Sequence, residues 1–183
     1  MKLNLPNKLT LARMIMVPFL MVFITFDFGL GIYSRLIAAF FFALASFTDF
    51  LDGYLARRDN LVTNFGKFMD PLADKLLVCA ALICLIQTGQ LPAWVVIIII
   101  SREFIISGFR LIASDNGVVI AASYWGKFKT VSQMLMVIVM ILNIPHIAFE
   151  ILGTVLMWLA VVLTIVSLLD YIVKNKDVLK DQK

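Results

Sequence analysis

The chain has 183 residues, of which 62% are hydrophobic and only 15% are charged. Its mean hydropathy of +0.97 excludes an ordinary soluble domain and predicts an all-α, polytopic membrane protein. Once the apolar helices are counted, no length remains for a second globular domain, so residues 1–183 are interpreted as one membrane-embedded domain. The net charge of +4 reflects membrane orientation and anionic ligands or lipids, and not nucleic acid.

Apolar runs separated by polar or Gly- and Pro-containing stretches predict six transmembrane helices. A short interfacial amphipathic helix is predicted to precede them, because residues 3–13 interleave Leu with Asn, Lys and Arg and the helix can start after Pro6. The six predicted spans are residues 11–28, 32–57, 66–88, 92–113, 124–144 and 147–173.

The basic residues give these spans an orientation. With six spans, all of the 16 Lys and Arg residues except Arg35 fall on the side that holds the N-terminus, several of them within helices. Cytoplasmic segments are the ones enriched in Lys and Arg. The sequence therefore predicts a multi-pass protein of the cell membrane with both termini in the cytoplasm.

The segment DFLDGYLARRDNLVTNFGKFMDPLAD, residues 49–74, places four aspartates in apolar surroundings. Asp49 and Asp52 are three residues apart and Asp70 and Asp74 are four apart, so each pair shares one helical face. A charged side chain at bilayer depth costs roughly 2.5 to 3.5 kcal/mol on insertion scales, so four of them need compensation. Two helices that each offer two carboxylates predict a site for hard divalent cations.

The spacing of this segment also resembles the signature of the CDP-alcohol phosphotransferase family, without a gap or a substitution. Softer patterns elsewhere, NLPNKLTLAR, DPLADKLLV, SREF and GKFKT, are similar to the bacterial branch of the family that makes phosphatidylglycerophosphate. The resemblance extends to the six-helix layout and hence to most of the chain. The matching residues are Asp49-x-x-Asp52-Gly53-x-x-Ala56-Arg57, eight residues, Gly66, three residues, Asp70, three residues and Asp74.

The resemblance implies transfer of a phosphatidyl group from CDP-diacylglycerol to the hydroxyl of glycerol 3-phosphate, with release of CMP. It implies two Mg²⁺ or Mn²⁺ ions per site, with Asp49, Asp52 and Asp70 as ligands. Asp74 is expected at the edge of the metal cluster, as a further ligand and as the general base that takes the proton of the attacking hydroxyl. The resemblance further implies a homodimer and an active site on the cytoplasmic side.

Nucleotide binding is assigned to the same signature. Gly53 and Ala56 leave little side-chain bulk on the second helix, so a nucleotide can approach closely, and Gly66 serves the same purpose on the third helix. Arg57 can hold a phosphate bidentately, although a basic residue at this end of a span can also be an interfacial anchor. The nucleotide-binding set is Asp49, Asp52, Gly53, Ala56, Arg57, Gly66 and Asp70.

The acceptor carries its own phosphate, so a second, cationic site is expected. Arg102 lies eight residues before Arg110 on the fourth predicted helix, about 12 Å deeper in the membrane, and depth argues for function over anchoring. Glu103 can pair with a neighbouring cation, while Asn7 and Arg13 are weaker candidates, supported mainly by the resemblance of the N-terminus. The candidates for the acceptor phosphate are Arg102, Arg110, Lys127 and Lys129, of which the two lysines can also be interfacial anchors.

Two alternatives stay open. The same chemistry can serve another acceptor, namely inositol phosphate, serine or phosphatidylglycerol. A divalent-cation transporter would also place acids in apolar helices, but here the four aspartates lie near one face of the membrane and are not spread along a pathway.

Overall fold

The structure is a computed structural model that describes the backbone of residues 5–58, 64–115, 120 and 123–176. Side chains are described for residues 7–48, 69–114, 120 and 123–176. Over these residues the chain forms six α-helices and no strand, which confirms the predicted all-α class. The helices are α1 (Leu5–Thr25), α2 (Ile32–Arg58), α3 (Asn64–Gln87), α4 (Ala93–Asp115), α5 (Tyr124–Leu142) and α6 (Ile147–Lys174).

The helix bounds follow the predicted spans closely except at the N-terminus. There, α1 begins at Leu5 and continues without a break to Thr25. One helix thus covers both the predicted amphipathic segment and most of the first predicted span. Whether its first turns lie at the membrane interface stays a prediction.

Three stretches within the described part of the chain are long and apolar enough to cross a membrane: Asn7–Thr25, Tyr124–Leu142 and Ile147–Lys174. In α2 the apolar stretch Ile32–Thr48 is shorter, and α4 carries Arg102, Glu103 and Arg110 along its length. Large apolar side chains such as Phe40 and Ile97 are more than 60% exposed, as expected for surfaces that face lipid. These features are those of a membrane protein.

The chain divides into two compact units, which are described separately. Unit 1 comprises Met1–Leu91 and Met140–Ile144, and unit 2 comprises Pro92–Val139 and Pro145–Lys183. The acidic signature lies in unit 1, whereas the candidates for the acceptor phosphate lie in unit 2. The single domain inferred from length stays a prediction.

Unit 1 is built around α1, which contacts both α2 and α3. The Phe23 and Phe41 rings stack at 6.1 Å, and the Ser34 hydroxyl donates to the carbonyl oxygens of Phe23 and Phe26, so α2 runs antiparallel to α1. Thr10 bonds to Asp70 near one end of the unit, and Thr25 lies beside Cys84 near the other. Since both residue numbers rise together, α3 runs parallel to α1.

Small and large side chains alternate in the core of unit 1. Leu20 and Phe42 are fully buried, and fully buried alanines such as Ala38 and Ala73 let the helix backbones approach one another. Close approach through small residues is how apolar helices associate where water supplies no driving force. This packing fixes the helix faces that carry the polar residues of the site.

Arg35, the one basic residue predicted on the outer side, has a structural explanation within unit 1. Its Nη1 donates to the carbonyl oxygen of Asn143 at 2.7 Å. Asn143 follows the last residue of α5 and has a positive φ of 39°. A guanidinium at the C-terminal end of a helix satisfies a carbonyl that the helix leaves open and interacts favourably with the helix dipole.

In unit 2, α4 and α6 pack against each other and run parallel. Three contacts follow the two helices in the same order: the Trp94 and Trp158 rings at 5.6 Å, the bond from Arg102 to Ser167, and the Phe109 and Tyr171 rings at 6.1 Å. The aromatic pairs hold the two ends of this contact. Between them the polar residues Arg102 and Ser167 meet in the interior.

Candidate functional site

The predicted metal ligands lie on α2 and α3 of unit 1. Asp49 and Asp52 are helical positions of α2, and their side chains lie outside the described residues. Asp70 and Asp74 are one turn apart on α3, and both are half-buried. The structure therefore confirms that each pair lies on a helix, where its spacing puts both members on one face.

The positions predicted to bind the nucleotide lie on the same two helices. Gly53, Ala56 and Arg57 belong to α2, and Gly66 belongs to the first turn of α3. Their side-chain surroundings lie outside the described residues. Their role in nucleotide binding stays a prediction.

Asp70 has a partner that the sequence did not reveal. The Thr10 hydroxyl of α1 donates to Asp70 Oδ1 at 2.5 Å. Thr10 is 1% exposed, and Asn7 and Arg13, three residues to either side of it, are 5% and 0% exposed. This polar face of α1 is buried within the protein, and its Thr10 hydroxyl orients the Asp70 carboxylate. The signal available in the sequence was the i, i+3, i+6 spacing of three polar residues.

The donor set of this centre suits a hard cation. Asp70 and Asp74 offer carboxylate oxygens on one face of α3, and oxygen is the ligand that Mg²⁺ and Mn²⁺ prefer. Among the described side chains, which do not include those of Asp49 and Asp52, no three acidic, His or Cys residues form a metal-binding group. The residues present thus fit a divalent metal site in type and in spacing.

A second polar centre, which we call the basic cluster, lies in unit 2 and consists of Arg102, Glu103, Lys129 and Ser167. Arg102 Nε donates to Ser167 Oγ at 3.1 Å, and its Nη1 donates to Glu103 Oε1 at 3.1 Å. Lys129 Nζ donates to the same Glu103 oxygen. The side chains of Arg102 and Lys129 are only 10% and 2% exposed. The cluster therefore joins α4, α5 and α6 around two buried cations.

Gly126 makes room for this arrangement. A Cβ atom at position 126 would lie 3.3 Å from Arg102 Nη2. This contact is tight enough that a side chain would force the guanidinium to shift. The close approach of Arg102 to the first turn of α5 thus explains why the GKFKT pattern has a glycine at this position and not a larger residue.

The other two candidates for the acceptor phosphate are placed differently. Arg110 is exposed near the end of α4. Lys127 is also exposed, and its Nζ lies 5.3 Å from the centroid of the Tyr124 ring, in a cation–π contact. Of the four predicted residues, the structure brings Arg102 and Lys129 together.

The basic cluster places two cations in the interior of unit 2. Arg102 and Lys129 are largely buried, and both donate to one oxygen of Glu103. Two buried cations beside one carboxylate are suited to an anion. A phosphate matches both the planar donor array of Arg and the point charge of Lys.

Sequence comparison matches residues 3–166 to the CDP-alcohol phosphatidyltransferase family. The chain is 48% identical to a CDP-diacylglycerol--glycerol-3-phosphate 3-phosphatidyltransferase of Bacillus subtilis, with 97% of each protein covered. Proteins of the same name from Haemophilus influenzae and Rickettsia bellii are 40% and 39% identical; 99% and 92% of this chain are covered, and 98% and 93% of the relatives. The chain therefore belongs to the CDP-alcohol phosphatidyltransferase family. Among its relatives, the similarity is to proteins named for glycerol 3-phosphate as acceptor.

The contribution of Glu103 to the basic cluster can be tested by measuring the stability of variants towards unfolding. Glu103→Gln removes the carboxylate to which the buried Arg102 and Lys129 both donate, so we expect a loss of about 3–5 kcal/mol, as measured when buried ion pairs lose one partner. Lys174→Gln is the matched control: it breaks a 2.7 Å pair with Asp170, but the Lys174 side chain is 64% exposed. That pair is worth at most about 1 kcal/mol. Thermal unfolding in one detergent measures both variants, and equal losses would contradict the structural role of Glu103.

Proposed function

We propose that this protein transfers the phosphatidyl group of CDP-diacylglycerol to glycerol 3-phosphate, giving phosphatidylglycerophosphate and CMP in phospholipid biosynthesis. The observation that carries this proposal is the 48% identity, over 97% of both chains, to a relative named for this activity. The acidic signature in unit 1 and the basic cluster in unit 2 supply the two kinds of group that the reaction needs. Carboxylates suit the cations that accompany a pyrophosphate, and the buried cations suit the phosphate of the acceptor.

In this proposal Asp49, Asp52, Asp70 and Asp74 hold two Mg²⁺ or Mn²⁺ ions. When bound, such ions neutralise phosphate charge as the bridging oxygen of the pyrophosphate leaves. The hydrogen bond from Thr10 orients Asp70 and removes the need for the carboxylate to reorganise. Thr10 is thus a positioning residue for the acidic centre.

Asp74 is proposed as the general base. An alcohol is a weak nucleophile at neutral pH, so its proton must pass to a nearby carboxylate as the oxygen attacks phosphorus. Asp74 lies one turn, about 6 Å along the axis, from Asp70. Metal binding and proton transfer can therefore take place on one face of α3. Gly53, Ala56, Arg57 and Gly66 are proposed to complete the nucleotide site.

Arg102 and Lys129 are proposed to bind the phosphate of the acceptor. Glu103 bonds to both through one oxygen and so holds the two buried cations next to each other. An incoming phosphate can accept from both. Arg110 and Lys127, being exposed, can add attraction at longer range.

The proposed location is the cell membrane, crossed by all six helices, with both termini and the active site on the cytoplasmic side. If consecutive helices cross the membrane in opposite directions, helices two apart in the chain run parallel, as α1 does with α3 and α4 with α6.

A homodimer is also proposed, on the family resemblance alone. Light scattering of the purified protein in detergent would give the mass of the assembly.

The substrate assignment is tested with CMP release against a panel of acceptors. Glycerol 3-phosphate should react, whereas glycerol and serine should not, because they carry no phosphate for the two buried cations of the cluster to bind. Arg102→Ala should raise the KM for glycerol 3-phosphate about 10-fold or more, with little change for CDP-diacylglycerol. Lys174→Gln is the control for an exposed cation. Preference of the wild type for serine or inositol phosphate would refute the acceptor and leave the transferase class intact.

Metal dependence is tested by chelation. EDTA should abolish CMP release, and Mg²⁺ or Mn²⁺ should restore it, because the four aspartates need cations to bind a pyrophosphate next to them. Asp49→Asn and Asp70→Asn should insert in the membrane normally but lack activity. Turnover that persists in EDTA would be incompatible with the two-metal site.

The general base is tested separately from the ligands. Asp74→Asn should slow the chemical step by about 10² to 10⁴, the range typical of general acid–base catalysis, while CDP-diacylglycerol binding changes less. Single-turnover rates and nucleotide binding give the two quantities. A loss of binding in proportion to the loss of rate would make Asp74 a metal ligand and not a base.

The orientation is tested with single cysteines at the two ends of α6. His146 precedes its first turn and Asn175 follows its last, and the 28-residue helix between them is about 42 Å long. In a Cys79→Ala, Cys84→Ala background, a membrane-impermeant maleimide added to intact cells should label His146→Cys and not Asn175→Cys. Labelling of Asn175→Cys instead would reverse the proposed orientation.

A further inference from the structure

Several buried polar groups next to the basic cluster lack hydrogen-bond partners. Within the described part of α5 and α6 these are Gln133 Oε1, Thr164 Oγ1, Asp170 Oδ2 and Tyr171 Oη, of which Gln133 and Thr164 lie towards the apolar interior. Gln133 is 4% exposed and Thr164 is 1% exposed, so water does not satisfy these atoms from outside the protein. A buried polar atom without a partner costs free energy, and such atoms mark places where a ligand or an ordered water binds.

Both residues adjoin the cluster along their own helices. Gln133 is four residues after Lys129, which places it on the same face of α5, about 6 Å along the axis. Thr164 is three residues before Ser167, whose hydroxyl donates to the Thr164 carbonyl oxygen and accepts from Arg102. Each unpartnered group is therefore one turn from a residue that contacts Glu103 or Arg102.

On both α5 and α6 the buried residues change from polar to apolar at these two positions. Beyond Gln133 the next buried residues of α5 are Met136 and Val137, and the nearest buried residues before Thr164 on α6 are Ala160 and Val161. Gln133 and Thr164 are thus the last polar side chains before the apolar interior on each helix. They end the polar part of unit 2 on the side away from Gly126 and Lys127 on α5 and away from Tyr171 on α6.

We propose that Gln133 and Thr164 bind the second, non-reacting hydroxyl group of the acceptor alcohol. This inference rests on the proposed function, in which Arg102 and Lys129 hold the acceptor phosphate. The middle hydroxyl of glycerol 3-phosphate lies within one helical turn of that phosphate. It can donate to Gln133 Oε1 and accept from Thr164 Oγ1, which satisfies both unpartnered atoms at once. The pair would make the site selective for a phosphorylated polyol over a simple phosphorylated alcohol.

The test compares two acceptors that differ only in this hydroxyl, glycerol 3-phosphate and 3-hydroxypropyl phosphate. CMP release with saturating CDP-diacylglycerol gives kcat/KM for each acceptor. The wild type should prefer glycerol 3-phosphate by about 10-fold or more, the discrimination expected when an analogue leaves buried partners unpaired. In Gln133→Met and Thr164→Val the preference should fall towards one, while the rate with 3-hydroxypropyl phosphate stays within about 2-fold of the wild-type rate.

Ser132→Ala is the matched control, since Ser132 is also buried on α5 but its hydroxyl already donates to the Lys129 carbonyl oxygen. This variant should keep the wild-type preference. Equal loss of rate with both acceptors in Gln133→Met and Thr164→Val would show a purely structural role and overturn the inference. So would a wild type that uses both acceptors equally, although the proposed function would then stand. CMP release with neither acceptor would overturn the proposed function, and the inference with it.

Discussion

A charged side chain inside a bundle of apolar helices must be paired, and this constraint organises the whole structure. A lone carboxylate or ammonium group in such a place would cost several kcal/mol, so each has to find a partner in the protein or in a ligand. In unit 1 the Thr10 hydroxyl bonds to Asp70, and in unit 2 Glu103 bonds to both Arg102 and Lys129. The polar centres are therefore the places where helix positions are most strongly specified.

The two centres have opposite chemistry. The acidic centre concentrates carboxylates on α2 and α3 and suits cations, whereas the basic cluster holds two buried cations beside one carboxylate and suits an anion. A reaction between two phosphate-bearing substrates needs both. Small residues give each centre its space. Buried alanines let the helices of unit 1 approach closely, and Gly126 leaves space for the Arg102 guanidinium in unit 2.

Hydrophobic runs and their punctuation were sufficient to predict six helices with nearly correct bounds, because an apolar segment in a membrane has few alternatives to a helix. Pairing was not predictable to the same extent. Arg102, Arg110, Lys127 and Lys129 all looked suitable for a phosphate, and only packing separates the buried pair from the two exposed residues. Thr10 was missed because a neutral hydroxyl gives little signal until its helix is packed against α3. The sequence did not predict that α1 is continuous. Its N-terminal turns were assigned to the membrane interface because they carry polar residues, but in the structure Asn7, Thr10 and Arg13 are buried within the protein.

The proposed function depends most directly on a two-metal site at the acidic signature of α2 and α3. Crystals of the full chain soaked in Mn²⁺ would test it through anomalous scattering at the manganese edge. Two peaks per chain, with oxygens of Asp49, Asp52, Asp70 and Asp74 about 2.0 to 2.4 Å away, are the expected result. Saturating Mn²⁺ with no peak at these carboxylates, or with peaks only elsewhere on the protein, would contradict the account.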